Sequence, residues 1–325
     1  MSACEDCPAG FFCPPKTSNH TLHICPQGHY CPEGTQSGTE KKCKPGTFNP
    51  DFGSHNESSC LPCTEGFYCQ GSGNSNVTDQ CEEGWYCPTG SDDPRKEECQ
   101  AGTFCPKGSP APTPCTASKY CSTARLSAPD GICDPGYYCP NGSTTGSQES
   151  CPAGHYCERG SGIPTPCQPG TFNPDVLQDD ISACRNCTPG KYCNGSGLTK
   201  DDGDCDKGYY CPGGQSIPNP SKYQCKRGHY CKAGSYESTL CESGTYQENV
   251  GKDSCDECPQ GYYCDNTENR CNDTDKSYLV RQICITGHYC PKGTEQANAH
   301  GCPEGTWSNR TGLNSSDECY ACISG

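Results

Sequence analysis

Hydrophobic side chains in this chain follow neither the three- and four-residue spacing of a helix nor long two-residue alternation. Leu, Ile, Val and Met are scarce, and the large apolar residue that recurs is an aromatic placed directly before a cysteine. No segment keeps helical periodicity over three turns. Pro, Gly, Ser, Asn and Asp fill the intervals, as turns and loops require. The pattern predicts small disulfide-rich repeats: an elongated, solenoid-like rod of irregular loops and short β-hairpins with almost no helix, each module touching only its neighbours.

The repeat is explicit once the cysteines are aligned. Thirteen segments read C-x5-C, beginning at Cys7, Cys25, Cys63, Cys81, Cys99, Cys115, Cys133, Cys151, Cys187, Cys205, Cys225, Cys258 and Cys284. The third residue after the first cysteine is Gly in twelve and Ser118 in the other, and the residue before the second cysteine is always aromatic, as in Tyr156. Four longer units, from Cys43, Cys167, Cys241 and Cys302, lack that second cysteine, place Phe48, Phe172, Tyr246 and Trp307 at the aromatic position, and end in C-x2-C. Gly permits the positive φ of a tight turn just after the first cysteine. The aromatic is then the unit's one large side chain for packing on a disulfide or on the next turn. The organisation expected is repeats over 1–42, a long unit with repeats over 43–166 and again over 167–240, a third over 241–301 with an irregular insertion at 265–283, and an incomplete long unit over 302–325.

Composition changes the picture in one respect. With 30% hydrophobic residues in a count that includes cysteine, the 325-residue chain cannot offset the cost of backbone ordering, roughly 1–2 kcal/mol per residue, by burial alone. The 37 cysteines resolve this, because such a density marks a disulfide scaffold of the kind that persists in oxidising, extracellular compartments. The net charge of −15 and the pI near 4.9 argue against nucleic acid or an anionic membrane surface as partner. No apolar run approaches the ~20 residues of a membrane span, so no direct membrane insertion of this segment is expected. The first residues lack the regions of a signal peptide, so the sequence is expected to be a mature or excised piece of a longer precursor.

Candidate chemistry is weighed against the repeat. "GHYC" occurs at His29, His155, His229 and His288, and Cys with His suits zinc or a nucleophile pair. Sister repeats carry Phe, Trp, Thr, Lys or Tyr there, which points to a packing histidine. The five C-x2-C pairs resemble zinc or redox motifs but lie inside an oxidised framework, and the acidic "QDDIS" and "DDGDCDKG" lack a calcium-loop register. No cofactor, metal site or catalytic set is expected, and the chain is not expected to be an enzyme. Nine N-x-S/T sequons, at Asn19, Asn56, Asn76, Asn141, Asn186, Asn194, Asn272, Asn309 and Asn314, point to N-linked glycans.

The long unit, C-x2-G-T-aromatic followed by C-x2-C and another C-x2-G-x-aromatic, resembles the ephrin-receptor-like cysteine-rich repeat, itself similar to modules of tumour-necrosis-factor receptors. The resemblance covers essentially the whole chain. It implies that the cysteine three before a repeat start joins the one after the aromatic, and that the repeat-start cysteine joins one about 18 residues on. Carried over, this gives Cys60 to Cys69 and Cys63 to Cys81, with Cys4 to Cys13 and Cys7 to Cys25 at the start. Spacer pairs then follow, as Cys31 to Cys43, Cys87 to Cys99 and Cys139 to Cys151. Cys319, Cys322 and one of Cys271 and Cys284 are left over, so Cys271, Cys319 and Cys322 become candidates for links to another copy or to a continuing chain. A second scheme closes each C-x5-C on itself and joins each long unit's first cysteine to the one before its final C-x2-C cysteine, as Cys43 to Cys60. It leaves Cys4, Cys271 and Cys322. Spacing alone does not choose between them.

The function expected is that of a glycosylated extracellular or cell-surface structural protein, a segment of a filament, stalk or matrix fibre. Its expected partners are further repeats or copies of itself. The alternative is a receptor or adhesion ectodomain that binds a protein ligand through its loops.

Overall fold

The computed structural model describes residues 6–266 and 281–322. These fall into two compact bodies. Met1–Cys151, Cys157–Pro164 and Leu177–Asp179 form the first; Pro152–Tyr156, Thr165–Val176 and Asp180–Gly325 form the second. Both use one construction. Among the described residues there is no α-helix, only three-residue 3-10 turns such as Ile181–Ala183, and the strands form thirteen two-stranded antiparallel sheets. Among the described residues no helix is long and apolar enough to cross a membrane.

In thirteen of the described repeats the aromatic and the residue before it form a two-residue strand, which pairs with the two residues preceding the next repeat's first cysteine. In the first body Phe67–Tyr68 pairs with Asp79–Gln80, and Trp85–Tyr86 with Glu97–Glu98. In the second, Lys191–Tyr192 pairs with Gly203–Asp204. Four repeats reduce the sheet to a single bridge, at Phe11–Ile24, His29–Lys42, Tyr209–Gln224 and His288–Gly301. The spacer is therefore the loop of a hairpin and not an extended connector.

Repeats are joined by a ladder of backbone hydrogen bonds, illustrated by those starting at Cys63 and Cys81. Gly66 N–H donates to Cys87 O (2.8 Å) and Cys81 N–H to Gly66 O (3.0 Å), while Cys69 N–H donates to Ser91 O (2.9 Å) and Gly90 N–H to Cys63 O (2.8 Å). The same four contacts recur in the second body between the repeats starting at Cys187 and Cys205, through Gly190, Cys193, Cys205 and Gly214. Polar backbone groups in so thin a fold are thus satisfied by the adjacent repeat.

The expectation that a module touches only its neighbours needs correction. A Cβ placed on Gly10 would lie 2.6 Å from Gly53 O, and one on Gly66 2.5 Å from Gly108 O. In the second body Gly154 stands in the same relation to Gly197 O, at 2.1 Å. Each of these carbonyls belongs to the repeat two further along, because the hairpin folds back far enough for one turn to cover the turn two repeats away. Glycine is required here for approach as well as for φ.

The core is made of bridges. Among the described residues the buried hydrophobic ones are cysteines apart from Leu313 and Tyr263, so sulfur takes the place that aliphatic side chains hold in larger domains. Ser118 occupies the turn position with φ of 80°, a conformation that costs an L-residue roughly 1–2 kcal/mol. Ser118→Gly is expected to stabilise its turn by about 1 kcal/mol. Slower amide exchange at Ser118, which donates to Cys139 O, and at Cys133, which donates to Ser118 O, is the readout; unchanged or faster exchange would show that the turn carries no strain.

Candidate functional site

The element that defines this protein is the closure of each repeat, and here the structure departs from the pairing implied by the receptor resemblance. All thirteen C-x5-C segments are bridged internally, beginning with Cys7–Cys13, Cys25–Cys31, Cys63–Cys69 and Cys81–Cys87. The long units close as Cys43–Cys60, Cys167–Cys184, Cys241–Cys255 and Cys302–Cys319. The expected Cys7–Cys25, Cys31–Cys43, Cys60–Cys69, Cys63–Cys81, Cys87–Cys99 and Cys139–Cys151 bonds are absent, and Cys13 takes Cys7 as partner instead of Cys4. The reason is local. The turn after the first cysteine brings the Cα atoms six residues apart to within 5.7 to 6.2 Å, inside the bridging range, so each cysteine is taken up before a distant one is needed.

The left-over cysteines change accordingly. Cys319 is bridged to Cys302 and is withdrawn as a linking candidate; Cys284 is bridged to Cys290. Cys322 is exposed and is the unbridged cysteine among the described residues; its N–H donates to Gly305 O at 2.8 Å, as a repeat-start cysteine does. Cys4 and Cys271 lie outside the described residues. Both cysteines of the C-x2-C pairs at 60/63, 184/187 and 255/258 are spent in separate bridges, so these pairs are structural.

The long units differ from the other repeats at one interior position. Where the other repeats have their second cysteine, these carry Asn49, Asn173, Gln247 and Ser308, all buried. Asn49 donates through Nδ2 to His29 O (2.9 Å) and accepts Asp51 N–H (3.1 Å); Asn173 likewise donates to His155 O (2.8 Å) and accepts Asp175 N–H (3.0 Å). Gln247 accepts from Asn249 N–H (3.0 Å), and Ser308 from Arg310 N–H (3.2 Å). A short polar side chain fills the vacated half-cystine position by hydrogen-bonding its surroundings. The ladder is unchanged: Gly154 N–H donates to Asn173 O at 2.7 Å, as Gly136 N–H does to Cys157 O at 2.9 Å.

Because Asn173 stands where a second cysteine stands elsewhere, Asn173→Cys is expected to capture Cys167 and to release Cys184 as a free thiol. Alkylation under non-reducing conditions followed by peptide mass spectrometry reads the swap. A retained Cys167–Cys184 bond with a free thiol at position 173 would show that the two positions are not equivalent.

The four "GHYC" histidines share one arrangement, with Nδ1–H donating to the carbonyl two residues earlier at 2.9 to 3.2 Å. The rings of His29 and His155 also lie against Gly73 and Gly197. The histidine is thus a lid on its own turn. The acidic stretches are used singly: Asp180 caps the turn at Ile181–Ala183, and hydrogen bonds from Ser182 hold its carboxyl below the ordinary aspartate range. Asp201 accepts from Thr188, Asp202 from the Asn194 N–H, and Asp204 pairs with Lys191 at 2.7 Å. Cys187, Cys193 and Asp201 come together, but the two sulfurs form a disulfide. Of the packing aromatics, Phe48, Tyr156, Phe172 and Tyr246 are half-buried, whereas Trp307 is 49% exposed and leans on Tyr320.

Fold and closure together define a serially bridged, cysteine-rich repeat protein. No protein-family model matches the chain. It is similar, at 31% identity over 105 residues, to Signal peptide, CUB and EGF-like domain-containing protein 2 of Danio rerio; the match covers 29% of this chain and 9% of that protein.

Proposed function

We propose that the chain is a glycosylated, non-enzymatic extracellular structural protein, a segment of a surface filament, stalk or matrix fibre built from ephrin-receptor-like repeats. One observation carries the reading: the repeats are equivalent, each with its own bridge and the same ladder to the next, a design suited to spacing and assembly. The bridges favour an oxidising compartment, and the similarity to a protein named for a signal peptide and EGF-like domains supports the same placement. Negative-stain microscopy of native material tests it. Regular fibres or stalks are the expected result; dispersed monomers that capture a protein ligand would favour the receptor or adhesion ectodomain.

The sequons add a second test. Asn56, Asn76 and Asn194 are exposed on loops, whereas Asn186 is followed by the bridged Cys187 and the Ser143 hydroxyl of the Asn141 sequon is buried, donating to Pro140 O at 2.6 Å. Asn19 and Asn309 are exposed and Asn314 half-buried; Asn272 lies outside the described residues. Intact mass before and after enzymatic removal of N-glycans is expected to fall by several glycans, with Asn56, Asn76 and Asn194 occupied. Native protein at its bare polypeptide mass would remove the glycans and much of the case for secretion.

A further inference from the structure

We propose that this chain is an extensible tether, in which tension opens the contacts between repeats while every bridged loop stays closed. The proposal deepens the structural role above and rests on it for the source of the load. It follows from where the bridges are. Every bridge among the described residues closes within one repeat, over 6, 14 or 17 residues, as in Cys63–Cys69, Cys241–Cys255 and Cys43–Cys60. No described bridge joins one repeat to the next. The connection that resists a pull along the chain is therefore the hairpin and the ladder, for example the bonds of Gly66, Cys69, Cys81 and Gly90 between two repeats, with few large apolar side chains behind them.

The stored length is large. In a period of about 18 residues, six steps are locked inside the bridge and about twelve are folded into the hairpin loop; at ~3.3–3.6 Å per residue these release roughly 40 Å per repeat. The bridged chain should thus extend to about two thirds of the ~1,100 Å spanned by the fully stretched, reduced polypeptide. Bonds such as the Cys63–Cys81 and Cys87–Cys99 pairs expected from the receptor resemblance would instead have tied successive repeats together covalently. In the observed arrangement the bridged turn survives each extension, so the hairpin re-forms on a prepared template when the load is removed. Because glycine turns such as Gly10, Gly66 and Gly154 also pack under the repeat two further along, one opening event involves one to a few repeats.

Single-molecule pulling of the full chain through terminal handles, oxidised and then reduced, tests the proposal. The oxidised chain is expected to lengthen in many small, reversible steps to about two thirds of the reduced contour. Replacing both Cys81 and Cys87 by Ser should add about 15 Å to the oxidised contour. Detachment of the handle without lengthening, a single all-or-none release, or an oxidised contour equal to the reduced one would each overturn the proposal. None of these outcomes bears on whether native material is fibrous, which microscopy decides separately.

Discussion

Full reduction is expected to convert this protein into an expanded, unstructured chain. Each bridge closes a short loop and contributes about 2–3 kcal/mol in the chain-entropy account. No single one decides the outcome, yet the seventeen among the described residues act on a fold whose net stability should not exceed the 5–15 kcal/mol of ordinary domains. Little else compensates, because among the described residues the buried hydrophobic set consists of cysteines with Leu313 and Tyr263. Hydrodynamic radius and far-ultraviolet circular dichroism, with and without reductant, read the effect. A radius unchanged after complete reduction would mean that the backbone ladder holds the fold by itself.

Gly154→Ala should be the most damaging single methyl group in the second body. At φ of 83° an alanine is strained by roughly 1–2 kcal/mol, and its Cβ would stand 2.1 Å from Gly197 O and 2.7 Å from Gly197 C. Backbone, unlike a side-chain tip, cannot step aside cheaply, so the total should exceed about 4 kcal/mol, the range reserved for disrupted packing or strain. Amide protection is expected to fall at Gly154, which donates to Asn173 O, and at Cys167, which donates to Gly154 O. Gly160→Ala is the control: its φ is 82°, but a Cβ there meets nothing within 4 Å, so only the conformational penalty applies. Equal effects at the two positions would show that the approach of Gly197 is not what matters.

Much of this was legible in the sequence. The turn at Gly66, the strand at Phe67–Tyr68 and the absence of helix all follow from the C-x2-G-x-aromatic spacing. The pairing was not, because a spacing of cysteines fits both a local and a cross-repeat scheme, and the resemblance to receptor modules favoured the latter. A signal that could have decided it was present at Asn49, Asn173, Gln247 and Ser308. Four polar residues at the position where thirteen repeats carry cysteine mark an interior site whose partner has been reassigned within the same unit. The contact of Gly154 with Gly197 lay beyond reach for another reason, since it depends on how far the intervening hairpins fold back. Ser118 shows the limit of the motif itself, for a serine there adopts the glycine conformation without any sign of it in the pattern.

The confinement of each bridge to one repeat also bears on how the chain matures. A nascent polypeptide delivered N-terminus first into an oxidising compartment can seal most repeats as soon as seven residues are in view, and the long units within about 18. No described bridge has to wait for a cysteine of a later repeat, so local closure restricts the wrong pairings open to so many thiols. Docking of the turns lags behind, because the turn at Gly10 meets the carbonyl of Gly53 only when two further repeats have emerged. At about 5–20 residues per second that delay is a few seconds, a narrow zone of sealed but undocked repeats travelling along the chain as it is made.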